Sequence, residues 1–304
     1  RRGLPSTLSS VYDPLGLAAP FLLEGRKIIQ KLCKENSAWD DPIQEDPKDK
    51  WTTWMSKLQK LEGIKIPRCF KPSIFGQVKD ASIHHFSDAS EYGYGQASYL
   101  RLVNMDDHIH CCLLIGKSRV TPTKFVSIPR LELTAATLSI RISLLMKKDL
   151  ELKYASKIKE YFWTDSEVVL GYINNESKRF KVFVANRVQM IRDHSDPSQW
   201  YHVNTKLNPA DDTSRGLDAA NMSKVKRWYN GPEFLWLPEE TWKRNKVHQR
   251  LDYDDPEIKN EAKVNFIKSN PNSILNWLEA SISSWNKMKR IVAIILRYKW
   301  ILKQ

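Results

Sequence analysis

Cysteine is scarce in this sequence, and the cysteines that are present lack the spacing of a structural motif. The chain of 304 residues contains four: Cys33, Cys69, Cys111 and Cys112. None of them forms a CxxC pair, and adjacent residues 111 and 112 would point to opposite faces of a strand. A disulfide framework is therefore disfavoured, and we expect a reducing, intracellular compartment.

Long hydrophobic runs are also missing. No apolar stretch is long enough to cross a bilayer, and no signal peptide is present. The most apolar segment, 291–302, is short and is interrupted by Arg297 and Lys299. We therefore expect no membrane partner. The sequence begins Arg1-Arg2-Gly3 without an initiator methionine, so we interpret it as a piece of a longer protein.

Acidic residues are outnumbered by basic ones. The chain has 48 Lys and Arg against 35 Asp and Glu, which gives a net charge of +13. A balance this basic indicates a polyanionic partner such as a nucleic acid. The hydrophobic content of 41% is nevertheless that of ordinary globular protein, and the length allows two domains or one domain with large flanks.

The first part of the chain is predicted to be helical. Apolar residues recur at helical spacing over 21–34 and again over 46–61. The second helix carries Trp51, Trp54, Leu58 and Leu61 on one face, which is typical of a core-facing stripe. Prolines then mark residues 64–75 as a linker. No chemistry can be assigned to this segment.

The middle of the chain predicts a mixed α/β domain. Strands are expected over 81–87, 93–103, 108–117, 158–163 and 199–204. Helices are expected over 129–148, 167–174 and 180–193, with another beginning near residue 208. This order predicts a five-stranded mixed sheet with helices on its faces. Beyond it we expect an acidic linker over 251–261 and helices over 273–284 and 286–302.

Four carboxylates fall at the ends of these predicted elements. Asp88 closes the first strand and Asp165 closes the fourth; Glu132 lies in the first turn of the long apolar helix and Asp211 begins the last one. If the first and fourth strands are neighbours, the four meet at one edge. Carboxylates this close repel each other unless divalent cations lie between them, and oxygen ligands suit Mg²⁺ or Mn²⁺.

Each acid also has a simpler interpretation. Asp165, Asp211 or the adjacent Asp212 could cap a helix N-terminus. Glu132 could merely complement a helix dipole. Taken singly these interpretations are favoured, but the joint occurrence of four acids at such positions favours a metal site.

The sequence around these acids resembles ribonuclease H. The four matching motifs are Phe86-Ser87-Asp88-Ala89-Ser90, Arg130-Leu131-Glu132-Leu133, Trp163-Thr164-Asp165-Ser166 and Asn208-Pro209-Ala210-Asp211. The resemblance is greatest to the ribonuclease H of BEL/Pao-class LTR retrotransposon Pol polyproteins. It implies a ribonuclease H-like five-stranded mixed sheet, with three antiparallel strands followed by parallel ones and helices on both faces.

The resemblance extends to both flanks of the predicted domain. Residues 8–20 are similar to the segment that follows the polymerase in these polyproteins, 231–242 to the segment after ribonuclease H, and 284–293 to the stretch leading to the integrase. It implies a helical thumb- or connection-like segment at 1–76, a ribonuclease H-like domain at 77–222, and a linker with helices at 223–304.

The resemblance also implies an activity. Asp88, Glu132, Asp165 and Asp211 would be the catalytic residues and bind two Mg²⁺ ions, with Mn²⁺ as a possible substitute. The enzyme would cut the RNA strand of RNA–DNA hybrids endonucleolytically during reverse transcription. Its partners would be the hybrid and the polymerase and integrase regions of the same polyprotein. The location would be a cytoplasmic virus-like particle or the nucleus.

Other functions fit the sequence less well. A DDE integrase places its glutamate after both aspartates, whereas Glu132 lies between Asp88 and Asp165. A zinc site at His108, His110 and the neighbouring cysteines lacks a second pair of ligands. A non-catalytic domain that binds hybrid or serves as a scaffold remains the alternative.

Overall fold

The β-rich segments in the middle of the sequence form one sheet in the computed structural model of the chain. Strands β1 (Val78–Ala89), β2 (Gly93–Asn104) and β3 (Ile109–Val120) are antiparallel neighbours. Strands β4 (Lys159–Thr164) and β5 (Trp200–His202) continue the sheet beyond β1 in parallel. The order β3-β2-β1-β4-β5 confirms the predicted mixed sheet.

The structure describes residues 3–35, 42–154, 158–242, 254–259 and 284–302; in 148–154 it describes the backbone alone. The helices are α1 (Gly3–Ser10), α2 (Ala19–Lys34), α3 (Glu45–Leu58), α4 (Ile128–Tyr154), α5 (Glu167–Asn174), α6 (Val182–His194), α7 (Asp211–Arg215), α8 (Met222–Asn230) and α9 (Trp285–Ile301). None of the described helices is long and apolar enough to cross a membrane.

Both faces of the sheet are covered, because the alternating side chains of its central strands are apolar on each side. On one face Ile83 and Leu100 lie beneath α4, and Phe162 packs with α5 and α6. On the other face Phe86 and Trp163 pack with Trp228 of α8. The sheet is therefore held between two cores.

The N-terminal helices pack against this domain. Helix α2 lies along β3, where Arg26 donates to the Ser118 carbonyl oxygen at 2.7 Å. Trp54 of α3, predicted to face a core, is buried on α2 and donates from Nε1 to the Phe21 oxygen at 2.8 Å. Its ring fills the space beside Gly25, where an added Cβ would lie 2.6 Å from the indole.

Two short helices were not predicted from the sequence. Helix α1 buries only Leu4, so it has no apolar period to detect. Helix α8 buries Val225 and Trp228 within nine residues, which is too short a pattern to separate from an irregular, tryptophan-rich segment.

The acidic stretch predicted as a linker is not a linker where the structure describes it. Glu257 accepts hydrogen bonds from Arg130 at 2.6 and 2.9 Å, and Ile258 forms a β-bridge with Phe180. An ion pair and an apolar contact therefore attach residues 254–259 to the domain.

Two compact units are distinguished in the chain, Arg1–Lys259 and Asn260–Gln304. In the second unit, α9 matches the helix predicted over 286–302, and the helix predicted over 273–284 falls almost wholly outside the described residues. The predicted domain boundaries, between residues 76 and 77 and between residues 222 and 223, remain predictions. The first unit contains the segments on both sides of each boundary.

Candidate active site

Asp88 and Asp165 lie at the same edge because their strands are parallel neighbours. Ser87, two residues before the end of β1, pairs with Thr164, the last residue of β4. The next residue of each chain segment is an aspartate, so Asp88 lies near the end of β1 and Asp165 directly follows β4. The side chain of Asp88 is enclosed, with only 5% of the residue exposed.

Glu132 is joined to this edge by a serine. It lies in the N-terminal part of α4, which crosses β1 and β2. Its Oε2 accepts a hydrogen bond from the Ser166 hydroxyl at 2.5 Å. Because Ser166 directly follows Asp165, this bond brings the start of α4 to the end of β4.

Asp211 is brought to the edge by the short helix α7. The helix lies directly on β2 because Gly95 has no side chain; an added Cβ there would lie 2.6 Å from the Thr213 hydroxyl. From α7, the Ser214 hydroxyl donates to Asp88 Oδ2, while Asp211 itself is paired with Arg215. Asp211 thus lies close to the buried Asp88.

Asn208 fixes the turn that precedes α7. It is fully buried, and its Nδ2 donates to the Ser87 oxygen at 3.1 Å and to Asp165 Oδ1 at 3.3 Å. Its own Oδ1 accepts from the Ala210 amide at 3.1 Å. One amide therefore connects β1, the end of β4 and the loop that carries Asp211.

The carboxylates influence each other electrostatically. Burial raises the pKa of Asp88 to about 8, and the negative charges of Asp165, Asp211 and Glu132 contribute, against the Ser214 hydrogen bond. Burial likewise raises the pKa of Glu132 to about 7, with Asp165 adding to it and the Ser166 bond opposing it. A desolvated cluster of like charges is a site that a cation would stabilise.

The simpler interpretations of the aspartates do not hold in this structure. Helix α5 is capped by Ser166, which accepts from the Val169 amide at 3.2 Å, and not by Asp165. Helix α7 has no side-chain cap. Asp212 is fully buried in an ion pair with Arg227 at 2.7 Å, so it points away from the other acids. This arrangement supports Asp211 as the fourth acid of the site.

The donor set suits hard divalent cations, although each carboxylate holds a protein partner. Among the residues that the structure describes, no three His, Cys, Asp or Glu side chains are gathered as a metal-binding group. Carboxylate oxygens are nevertheless the ligands that Mg²⁺ and Mn²⁺ prefer. Burial, together with the neighbouring negative charges, raises the pKa values of Asp88 and Glu132, and a bound cation would oppose both effects. By chemistry, therefore, the residues present fit such ions.

Several supporting residues were missed at the sequence level. Ser166, Asn208 and Ser214 each bind one of the four acids. All three stand in or beside the motifs quoted above, so their positions were visible. Their hydrogen-bond partners were not, because those partners come from segments distant in the sequence.

The chain is similar to several solved ribonuclease H structures. RNase H1 from Halobacterium salinarum NRC-1 is 12% identical over 44% of this chain and 93% of that chain, with a TM-score of 0.27. The N-terminal RNase H domain of rv2228c from Mycobacterium tuberculosis, in a fusion with maltose binding protein, is 10% identical over 50% and 96%, with a TM-score of 0.25. LC11-RNase H1 from compost is 10% identical over 50% and 93%, with a TM-score of 0.26.

A comparison with curated proteins gave no match. A protein-family model, described as the Pao retrotransposon-like RNaseH-like domain, matches residues 1–166. The matched part includes the N-terminal helices and Asp88, Glu132 and Asp165. Since it covers more than half of the sequence, the chain belongs to the Pao retrotransposon-like RNaseH-like domain family.

Proposed function

We propose that this chain is a metal-dependent ribonuclease H that cuts the RNA strand of RNA–DNA hybrids during reverse transcription of an LTR retrotransposon. One observation carries the proposal. Asp88 is buried at the sheet edge and its pKa is raised to about 8 by burial and by the charges of Asp165, Asp211 and Glu132. Uncompensated carboxylates are costly in a protein unless they serve a bound cation.

Asp88, Glu132, Asp165 and Asp211 would hold two Mg²⁺ ions. When bound, such ions supply Lewis-acid activation of water and stabilisation of the leaving oxygen in phosphodiester hydrolysis. The protein's own part is positioning: Ser214 orients Asp88, Ser166 orients Glu132, and Asn208 orients Asp165. The solvent-exposed side chain of Arg215 partly neutralises the charge of Asp211.

The substrate class follows from charge and family. A net charge of +13 favours a polyanion, and binding would release counterions from the nucleic acid. Selectivity for RNA at the cut site would require contacts to 2′-hydroxyls, which distinguish RNA from DNA. The polymerase and integrase regions of the same polyprotein are the proposed partners, in a cytoplasmic virus-like particle or the nucleus.

The test is cleavage of an end-labelled RNA–DNA hybrid by the full chain, with Mg²⁺ or Mn²⁺ and with EDTA. We expect metal-dependent cutting of the RNA strand alone. Asp165→Asn should abolish it, whereas Asp193→Asn should not, because Asp193 is an exposed acid on α6 that contacts Gln189. Cleavage that survives Asp165→Asn would contradict the proposal.

A hybrid-binding scaffold is the second candidate. It is favoured by the fact that each carboxylate is engaged by its own protein partner and that the described residues include no gathered metal-binding group. Tight hybrid binding by the folded chain, with no cutting in either metal, would identify this function instead.

A further inference from the structure

An apolar groove of about 760 Å³ lies on the first unit, along the outer edge of β3. Its floor is formed by residues 110–113 of β3. One wall is the proline-containing segment 63–72 and the other is α8, with Leu15 and Leu17 at one end. The groove is built from residues that play no part in the site described above, so any inference about it is independent of the proposed function.

The floor of the groove is an edge strand. Strand β3 is the last strand of the sheet and pairs only with β2. Its second half is covered: the Gly116 amide donates to the Leu15 oxygen at 2.8 Å, and the Ser118 oxygen accepts from Arg26. Along residues 109–115, no described segment other than β2 forms backbone hydrogen bonds with the strand. Such an edge can accept an added strand.

Segment 63–72 passes over this edge without closing it. It packs Ile64 with the core on one face of the sheet and Phe70 with the core on the other. Its described hydrogen bonds to β3 come from side chains, those of Cys112 and His110, and both involve the backbone of Phe70. The segment therefore crosses the strand and leaves space beneath it.

The charge of the groove has one sign. Lys65, Arg68 and Lys226 line it, and no Asp or Glu is among its lining residues. None of the three cations has an acidic partner among the described side chains. Large apolar side chains are exposed beside them, including Ile66 at 42% and Met222 at 64%. Cations around an apolar groove complement a polypeptide that carries both apolar and acidic side chains.

We infer that this groove binds an extended, apolar and acidic segment of a partner protein, which pairs with the free edge of β3. Its backbone would continue the sheet beyond residues 109–115. Alternate side chains would enter the apolar groove, and its carboxylates would meet Lys65, Arg68 and Lys226. Of the aromatic residues that line the groove, Tyr229 and Phe70 are partly buried and pack on the cores of the domain. The groove therefore favours a peptide over a single-stranded nucleic acid, which is recognised by stacking on exposed aromatic rings.

The experiment uses the full chain and arrays of synthetic nonapeptides in which leucine, valine and glutamate are permuted. A second array carries lysine in place of every glutamate. We expect binding on the glutamate array, with the strongest peptide showing at least tenfold lower affinity after its acids are changed to lysine. Equal binding to both arrays, or no binding to either, would overturn the inference.

Charge-reversal variants locate the site. Lys65→Glu combined with Lys226→Glu should weaken binding of that peptide at least tenfold. The matched control combines Lys48→Glu with Lys181→Glu, which changes the net charge equally at exposed positions outside the groove. Equal weakening by both pairs would show nonspecific electrostatic attraction and overturn the inference. Circular dichroism and thermal unfolding verify that each variant is folded.

The reactivity of two native cysteines can locate the bound peptide. Cys69 is exposed and lines the groove, whereas Cys33 is exposed on α2 outside it. Bound peptide should slow alkylation of Cys69 by iodoacetamide at least fivefold and leave Cys33 unchanged. Unchanged Cys69 reactivity at saturating peptide, or displacement of the peptide by a single-stranded oligonucleotide, would contradict a peptide site here.

Discussion

Adjacent residues in α7 have opposite roles in this structure. Asp211 is close enough to Asp88 for its charge to raise the pKa of that carboxyl, and its own side chain is 16% exposed and paired with Arg215. Asp212 is fully buried and is bound by Arg227 and Lys224. A single helical turn thus directs one carboxylate to the candidate site and the other into the protein. Substitution of Asp211 should therefore affect function, and substitution of Asp212 should affect stability.

Asp211→Asn should abolish hybrid cleavage while leaving the free energy of unfolding nearly unchanged, because it removes a charge from a repulsive cluster. Asp212→Ala should lower the free energy of unfolding by about 3 kcal/mol, since it leaves Arg227 without its partner. Urea unfolding and the cleavage assay measure the two effects. Equal stability losses in both variants would contradict this division of roles.

Asn208 provides the second prediction at this scale. Asn208→Ala leaves the buried Ser87 oxygen without its side-chain donor and Asp165 free to turn. We expect a loss of about 1–3 kcal/mol in unfolding free energy and a fall in kcat of about tenfold or more. Asn174→Ala is the control, because Asn174 is exposed and bonds only within α5. Unchanged kcat in Asn208→Ala would show that the amide does not position the site.

At the scale of elements, a buried polar chain connects three strands and a helix. His85 of β1 bonds Ser98 of β2 through Nδ1 at 2.8 Å, and its Nε2 lies 3.6 Å from Glu160 of β4. Ser143 of α4 donates to Glu160 at 2.6 Å. Ser98 donates its own hydroxyl proton to Gln96, so His85 must donate to Ser98. These bonds fix the register of β1 and β4, on which the positions of Asp88 and Asp165 depend.

The buried polar side chains around Glu160 should make the free energy of unfolding depend on pH. Burial raises the pKa of Glu160, but His85, Ser143 and Lys147 lower it more, to about 2. A carboxyl with a lowered pKa stabilises the fold above its unfolded value, near 4.5, and loses that contribution as the pH falls toward 2. Glu160→Gln should therefore cost about 3 kcal/mol at pH 7, and the deficit should shrink below pH 4.5. Unfolding curves at pH 7, 4 and 3 measure it; a deficit independent of pH would contradict the ion pair.

Sequence patterns predicted these elements unevenly. The strands and α4 were predictable because alternation and a long apolar period are local signals. Helix α5 was also predicted, but its N-cap is Ser166 and not Asp165, the candidate that the sequence suggested. Helix α8 was not, since its two buried residues give no period, and the attachment of Glu257 was not, since Arg130 lies 127 positions away. The four acids were found by their motifs, whereas Ser98, His85 and Glu160 were not, because only the strand order brings them together.

At the scale of the whole molecule, the net charge predicts salt-sensitive binding. Three arginines, Arg119, Arg141 and Arg187, line a cleft of about 200 Å³ beside α4 and α6. Burial lowers the pKa of Arg187, and the nearby charge of Arg141 adds to that effect. This cleft is a place where the phosphates of a hybrid would relieve repulsion between cations.

Arg141→Gln should weaken hybrid binding and reduce the slope of log K against log salt concentration by about 1, as expected for the loss of one phosphate contact. Arg68→Gln is the control with the same change of charge, since Arg68 lies in the groove along β3 and not in this cleft. Fluorescence anisotropy with a labelled hybrid at several salt concentrations gives the slopes. The same slope for Arg141→Gln and the unchanged chain would exclude a phosphate contact there.

The N-terminal helices pack against the loops around the candidate site. Leu23 of α2 is fully buried beside Gly93, at the turn after Asp88, and the Leu217 amide donates to the Pro20 oxygen at 3.2 Å. Trp228 of α8 donates to the Leu17 oxygen at 2.8 Å. The segment predicted as thumb- or connection-like thus covers the second half of β3, at Gly116 and Ser118, and supports the loops around the site.

Removing residues 1–76 should therefore destabilise the remaining domain. Fragment 77–259 would expose the surfaces now covered by Phe21 and Leu23, each worth about 1.5–3 kcal/mol. We expect a loss of about 5 kcal/mol or more in unfolding free energy relative to 1–259, or insolubility. Leu23→Ala in the full chain tests the same contact without truncation and should cost about 2–5 kcal/mol. Leu144→Ala, at an exposed position of α4, should cost about 0.5 kcal/mol or less. Equal stability of the two fragments, with a neutral Leu23→Ala, would show that the N-terminal helices are an independent attachment.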